Sequence, residues 1–191
     1  MPSAASSTLA DLARALESLG LRWYLFSAQA AIHYGSPRVT ADVDVTVELA
    51  AASAATLVAS LRAVGIEPRL EFDEVFIARA RVLPMIHVAT GMGVDVVIAG
   101  PGPEQMFLER ARQIRFDDVT VPIASPNDIV VMKMLAGRPK DLEDVMGILR
   151  AGPDGLDVGE IRALLTELEQ ILGQSDLLPP FEDALRRARV R

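Results

Sequence analysis

The sequence predicts an α/β (α+β) fold: a small mixed β-sheet flanked by helices, with a C-terminal helical segment. Three observations carry this expectation. Short β-branched or aromatic runs alternate with stretches of helical period over residues 9–123. Two strand candidates, residues 85–89 and 94–99, are joined by Gly91-Met92-Gly93, which reads as a hairpin. Beyond residue 126 only helical patterns remain, so helices follow the sheet instead of alternating with it.

Each element has its own signal. Leu9, Leu12, Ala13, Leu16 and Leu19 keep a helical period that Gly20 stops. Residues 21–26 are apolar and aromatic and read as a buried strand. Ser27 precedes a short helix that ends at Gly35 and Pro37. Residues 43–49 are the clearest strand, and Leu57, Leu61 and Val64 mark the helix after it. Residues 74–82 read as a further strand ahead of the hairpin, residues 103–112 as a helix, and residues 119–123 as a last short strand. Ser125-Pro126-Asn127-Asp128 is a helix start, with Ser as cap, Pro at the first position and Asp where a capping box needs an acid. That predicts helices over 126–136 and 139–149, with two more over 158–191. The break at Gly152-Pro153-Asp154-Gly155 divides the chain into a domain of residues 1–151 and a helical segment, 152–191, packed on it.

Composition bounds the function. The chain has 191 residues, half of them hydrophobic, which is enough for a sizeable core. It has no cysteine, which excludes disulfides and thiolate metal sites. Residues 1–8 are small and polar and lack the layout of a signal peptide. The longest apolar run, 49–61, is too short to span a bilayer. A soluble, cytoplasmic protein with no membrane partner is expected. The net charge of −7 argues against a protein that coats nucleic acid.

The chemistry resides in carboxylates. In Asp42-Val43-Asp44-Val45 the strand period puts both acids on one face, with backbones about 7 Å apart. Two such charges repel by roughly 2 kcal/mol at an effective dielectric of 20, and a divalent cation reverses the sign. Hard oxygen ligands suit magnesium. Asp95 is out of place inside the apolar run 94–98, and it completes a three-carboxylate cluster if that strand lies beside the first. The competing reading is an inward Asp held by an arginine such as Arg79 or Arg81. The strand-to-helix step at Ser27 offers backbone N–H groups to a phosphate, or else Ser27 is simply a helix cap. His33 and His87 lack metal-site spacing and read as structural or surface residues.

Residues 26–44, from Phe26-Ser27-Ala28-Gln29 through Gly35 and Arg38-Val39-Thr40 to Asp42-Val43-Asp44, resemble the signature of the DNA-polymerase-beta-like nucleotidyltransferase superfamily. Residues 133–144, Lys133-Met134-Leu135-Ala136-Gly137-Arg138-Pro139-Lys140-Asp141-Leu142-Glu143-Asp144, are similar to a second block of its AbiEii-type branch, the abortive-infection and toxin–antitoxin nucleotidyltransferases. The resemblance implies the nucleotidyltransferase fold and a Mg2+ site at Asp42, Asp44 and Asp95. It also implies a nucleotide-phosphate turn at Ser27 and Ala28, with Arg38 and Thr40 following, and Lys133 as a triphosphate contact. Arg138, Lys140 and Asp141 would line the same cleft. The chain departs from the pattern at Ser27, where the family usually has Gly; a Cβ there restricts left-handed backbone angles.

The expected function is transfer of a nucleoside monophosphate from an NTP to a hydroxyl of an RNA, a protein or a small molecule. The branch implies a toxin acting on tRNA or protein, with an antitoxin partner. The alternatives are a catalytically degenerate nucleotide-binding or partner-binding module and a metal-dependent phosphohydrolase.

Overall fold

The computed structural model describes residues 3–37, 40–71 and 73–189. In chain order the elements are α1 (Ala4–Ser18), β1 (Arg22–Phe26), α2 (Ser27–His33), β2 (Asp42–Glu48), α3 (Ala54–Ala63), β3 (Ile66–Pro68), α4 (Glu74–Ala80), β4 (Val82–His87), β5 (Met92–Ile98), α5 (Pro103–Arg110), β6 (Arg112–Phe116), β7 (Val119–Ile123), α6 (Pro126–Ala136), α7 (Pro139–Ala151), α8 (Val158–Leu172) and α9 (Leu178–Arg189). Among the described residues no helix is long and apolar enough to cross a membrane. The chain divides into two compact units, one of residues 1–26 and 40–124, the other of residues 27–39 and 125–191. The boundary expected after residue 151 falls inside the second unit, between α7 and α8.

The first unit holds a seven-stranded mixed sheet in the order β3-β4-β5-β2-β1-β7-β6. β2 runs parallel to β5, and β1 parallel to β7; the other neighbours are antiparallel. Strand alternation separates two faces. One carries Trp23, Leu25, Val43, Val45, Val47, Leu83, Met85, Val94, Val96, Val121 and Ile123, all buried. On this core lie the apolar stripe of α1 (Leu9, Leu12, Leu16) and Leu57 and Leu61 of α3. His87 belongs to the same face, where its ring bridges Asp11 and Thr8 of α1 at 3.0 Å each. Its role is structural. On the opposite face α5 packs on β1, with Phe107 edge-on to Tyr24 at 6.4 Å.

The structure corrects one element and adds two. Residues 74–80 are helical, not a strand: the Asp73 side chain accepts from the Phe76 N–H at 2.8 Å as an N-cap, and Arg81 ends the turn in the left-handed region. The run Val75-Phe76-Ile77 mimics a strand because α4 leaves Val75 and Phe76 exposed, which blurs its helical pattern. β3 and β6 carry no apolar run because they are the edges of the sheet. Edge strands avoid further pairing by being short or charged, as the three residues of β3 and Arg112 and Arg115 of β6 show.

The second unit is helical. Ser125 caps α6 as the sequence predicts: its Oγ accepts from the Asp128 N–H at 3.2 Å, and its hydroxyl donates to Asp128 Oδ2 at 2.6 Å. Asn127 secures α8 to α6, donating to Glu160 at 2.6 Å and accepting from the Asp157 N–H at 2.8 Å. α2 packs against α6 and α7, and α9 against α7. The approach of the α2 end to α7 needs a glycine: a Cβ on Gly147 would stand 2.9 Å from the Ser36 Cα, which is backbone and cannot swing away. Gly147→Ala should therefore destabilise the protein by about 1–3 kcal/mol, read as a lower urea midpoint with an unchanged slope.

Candidate functional site

The β2–β5 ladder sets the acidic face. Its register pairs Asp42 with Gly93 and Asp44 with Asp95 across neighbouring parallel strands. Adjacent strands lie about 4.8 Å apart, so side chains at the same register share a face. Asp42, Asp44 and Asp95 therefore stand on one face, opposite the face that buries Val43, Val45, Val94 and Val96. Asp42 is exposed at the strand start, while Asp44 and Asp95 are half-buried. The Asp42 N–H donates to Thr40 Oγ1 at 3.3 Å, which shapes the entry into β2. Gly93 makes room for the Asp42 carboxylate, since a Cβ there would overlap Asp42 Oδ1.

Among the described residues, Arg69 brings a cation to this face. Its guanidinium pairs with Asp95, where the sequence offered Arg79 or Arg81 as partners. Arg81 instead donates to the Ile98 carbonyl at 2.6 Å, and Arg79 lies exposed on α4. Among the described residues no three His, Asp or Glu side chains are gathered closely enough to hold a metal ion as they stand. The acids share a face, and Asp95 carries a guanidinium. Nothing in the sequence near Arg69 signals this role, because it follows a three-residue strand that has no pattern of its own.

In the helical unit, Ser27 opens α2 with φ at +60°. It adopts a left-handed angle that a glycine would reach without cost. Ala28 is buried. Arg38 lies outside the described residues.

The second block forms a buried ionic tie. Lys133 Nζ donates to Asp144 Oδ2 at 2.7 Å and Asp141 Oδ1 at 3.0 Å, and Ser36 Oγ donates to Asp144 Oδ1 at 2.6 Å. Arg138 forks onto Asp141, Nε donating to Oδ2 at 2.5 Å and Nη2 to Oδ1 at 3.1 Å. Lys133 is only 4 % exposed, and Asp141 and Asp144 are at 0 % and 1 %. The lysine expected to point into a cleft is thus enclosed, its charge met by two carboxylates of α7. Helical periodicity missed this because α6 is buried around most of its circumference and has no solvated face to betray a lysine. Gly137, left-handed at φ +62°, turns the chain so that Lys133 meets α7. Lys140 is exposed and takes no part in the tie, and Asp144 is a full member. Burial alone would raise the Asp141 pKa; hydrogen bonds and charge from Arg138 and Lys133 outweigh it, so the carboxyl is held below its ordinary value.

No family model and no curated protein matches this chain. Solved structures do. The solution structure of the antibiotic-resistance factor ANT(2'')-Ia, described as revealing substrate-regulated conformation dynamics, aligns with a TM-score of 0.65 at 12 % identity, over 91 % of this chain and 95 % of that one. The crystal structure of an antigenic nucleotidyltransferase-like protein from Paracoccidioides brasiliensis aligns with a TM-score of 0.56 at 18 % identity, over 97 % and 94 %. The chain has the nucleotidyltransferase fold.

Two outcomes follow from the helical unit. A depressed carboxyl pKa stabilises the fold above the unfolded value, about 3.9, and that stability is lost as pH falls through the lower folded value. Asp141→Asn should cost about 1.5–3 kcal/mol at pH 7, and its deficit against wild type should shrink as urea titrations are repeated below pH 4. At Ser27 the left-handed angle costs an L-residue about 1–2 kcal/mol, while a glycine gives back roughly 0.5–1 kcal/mol in chain entropy. Ser27→Gly should therefore raise stability by up to about 1 kcal/mol, seen as a higher urea midpoint.

Proposed function

We propose that the chain transfers a nucleoside monophosphate from an NTP to a hydroxyl acceptor. One observation carries the reading: in a nucleotidyltransferase fold, Asp42, Asp44 and Asp95 share one face of two neighbouring parallel strands. The donor set fits a hard divalent cation. It offers carboxylate oxygens only, and Gly93 lets the Asp42 carboxylate lie over the step toward Asp95. Magnesium bound there would supply Lewis acidity to a phosphoryl oxygen. Asp42, Asp44 and Asp95 would hold the ion, and Asp95 would also receive the proton of the acceptor hydroxyl. The acceptor oxygen bonds to the α-phosphorus, the bond to the bridging oxygen breaks, and pyrophosphate leaves. Ser27 and Ala28 would present backbone N–H groups to the phosphates, with Arg38, Thr40, Arg138 and Lys140 as further nucleotide contacts. Lys133 acts on this reading by holding Asp141 and Asp144, and so the α6–α7 corner, in place.

For the acceptor, the net charge of −7 disfavours RNA. A small-molecule hydroxyl is our first choice, supported by the nearly full-length likeness to an antibiotic-resistance factor. A protein hydroxyl, with the chain as the toxin of a toxin–antitoxin pair, is the second choice and rests on the similarity of residues 133–144 to the AbiEii-type block.

The test is magnesium-dependent binding of the four NTPs by calorimetry, followed by transfer of α-labelled nucleotide to candidate acceptors. Wild type should bind only with magnesium, and Asp42→Asn with Asp44→Asn should lower transfer by about 100-fold or more. A folded wild type that binds no NTP would sink the enzyme reading and leave a degenerate partner-binding module. Release of free phosphate with no labelled acceptor would mark a phosphohydrolase.

A further inference from the structure

Arg69 stands outside every role assigned so far. It directly follows β3, and its backbone N–H donates to the Pro84 carbonyl at 2.9 Å, continuing the β3–β4 ladder. Pro84 is the register partner of Asp95, so the ladder delivers Arg69 beside the strand that carries the third acid. Its Nη2 donates to Asp95 Oδ1. Its Nη1 lies 3.4 Å from where a Gly93 Cβ would stand, the same position that Asp42 Oδ1 overhangs. One guanidinium thus reaches over the step between Asp42 and Asp95. Arg69 and Asp95 are 36 % and 35 % exposed, so the pair can open without unpacking the core.

We propose that Arg69 is an exchangeable counter-cation for the acidic face: it holds Asp95 while no metal is bound and yields the carboxylate when a divalent cation arrives. The inference rests on the nucleotidyl-transfer reading of that face. The acids repel one another, and the positive charge of Arg69 relieves this at Asp95. A divalent ion with hard oxygen preference relieves it further, and a half-exposed ion pair is weak enough to give way. The competition should weaken metal binding by about three- to fivefold, the factor that matches such a pair.

Titration of the full chain with Mn2+ alone, following the free ion by electron paramagnetic resonance, tests this. Arg69→Gln should bind Mn2+ about three- to fivefold more tightly than wild type. Arg62→Gln removes a neighbouring positive charge that pairs with Glu67 instead, and should leave the affinity unchanged. Equal or weaker binding by Arg69→Gln would overturn the proposal, as would an equal gain in Arg62→Gln, which would reduce the effect to general charge. If the Gln variant does not fold, Arg69→Lys, which keeps the charge without the two-pronged fork, should fall between wild type and the predicted gain, and wild-type affinity there would count against the exchange. Failure of the underlying reading looks different: wild type would bind no Mn2+, or its binding would survive Asp44→Asn.

Discussion

The parallel ladder between β2 and β5 is the constraint from which the acidic face follows. Val43, Val45 and Val47 on one strand, and Val94 and Val96 on the other, must all face the core under α1 and α3. Because the side-chain period is two, a slip of one residue would drive carboxylates inward and valines outward, so burial of the valines locks the register. That register pairs Asp44 with Asp95 and Asp42 with Gly93. The carboxylates need no attraction to assemble, since the apolar face assembles them against their repulsion. Gly93 completes the arrangement by omitting the one Cβ that would collide with Asp42.

The helical unit solves a different problem. A lysine ammonium is costly to bury unless it is paired and hydrogen-bonded, and removing one partner of a buried pair typically costs about 3–5 kcal/mol. Lys133 is met by Asp141 and Asp144, which in turn take bonds from Arg138 and Ser36. These groups come from α6, α7 and the segment after α2, so the tie fixes the α6–α7 corner and the end of α2 at one point. Gly137 and Gly147 are its backbone counterparts: one permits the turn, the other the close approach.

Much of this was legible in the sequence, and the reasons differ by element. The bounds of α6 were readable because Ser125, Pro126, Asp128 and Gly137 each perform a local task at a fixed position. The pairing of Asp42 with Asp44 was readable because a strand has period two, and Asp95 because an acid interrupts an apolar run. What stayed hidden depends on contacts distant in the chain. Arg69 reaches Asp95 across 26 residues, through a strand too short to announce itself. The enclosure of Lys133 was hidden because α6 presents no polar face against which an inward lysine would stand out. α4 misled because local capping by Asp73, not apolar periodicity, decides its conformation.

The Lys133 tie and the Arg69–Asp95 pair differ in burial, and burial decides what each can do. The Lys133 tie is closed to water, so opening it would strand charges in an apolar interior. It behaves as structure under any condition that keeps the protein folded. The Arg69–Asp95 pair has about a third of each side chain in solvent, and pairs so placed contribute about 0–1 kcal/mol. As the proposed counter-cation it would hold Asp95 at rest and oppose little when a stronger cation competes. If the acidic face receives a polyphosphate, as proposed, it needs such a charge, because both partners are anions. Had the burial of the two systems been exchanged, the acidic face would be sealed by its own arginine and the helical corner would lose its fixed point.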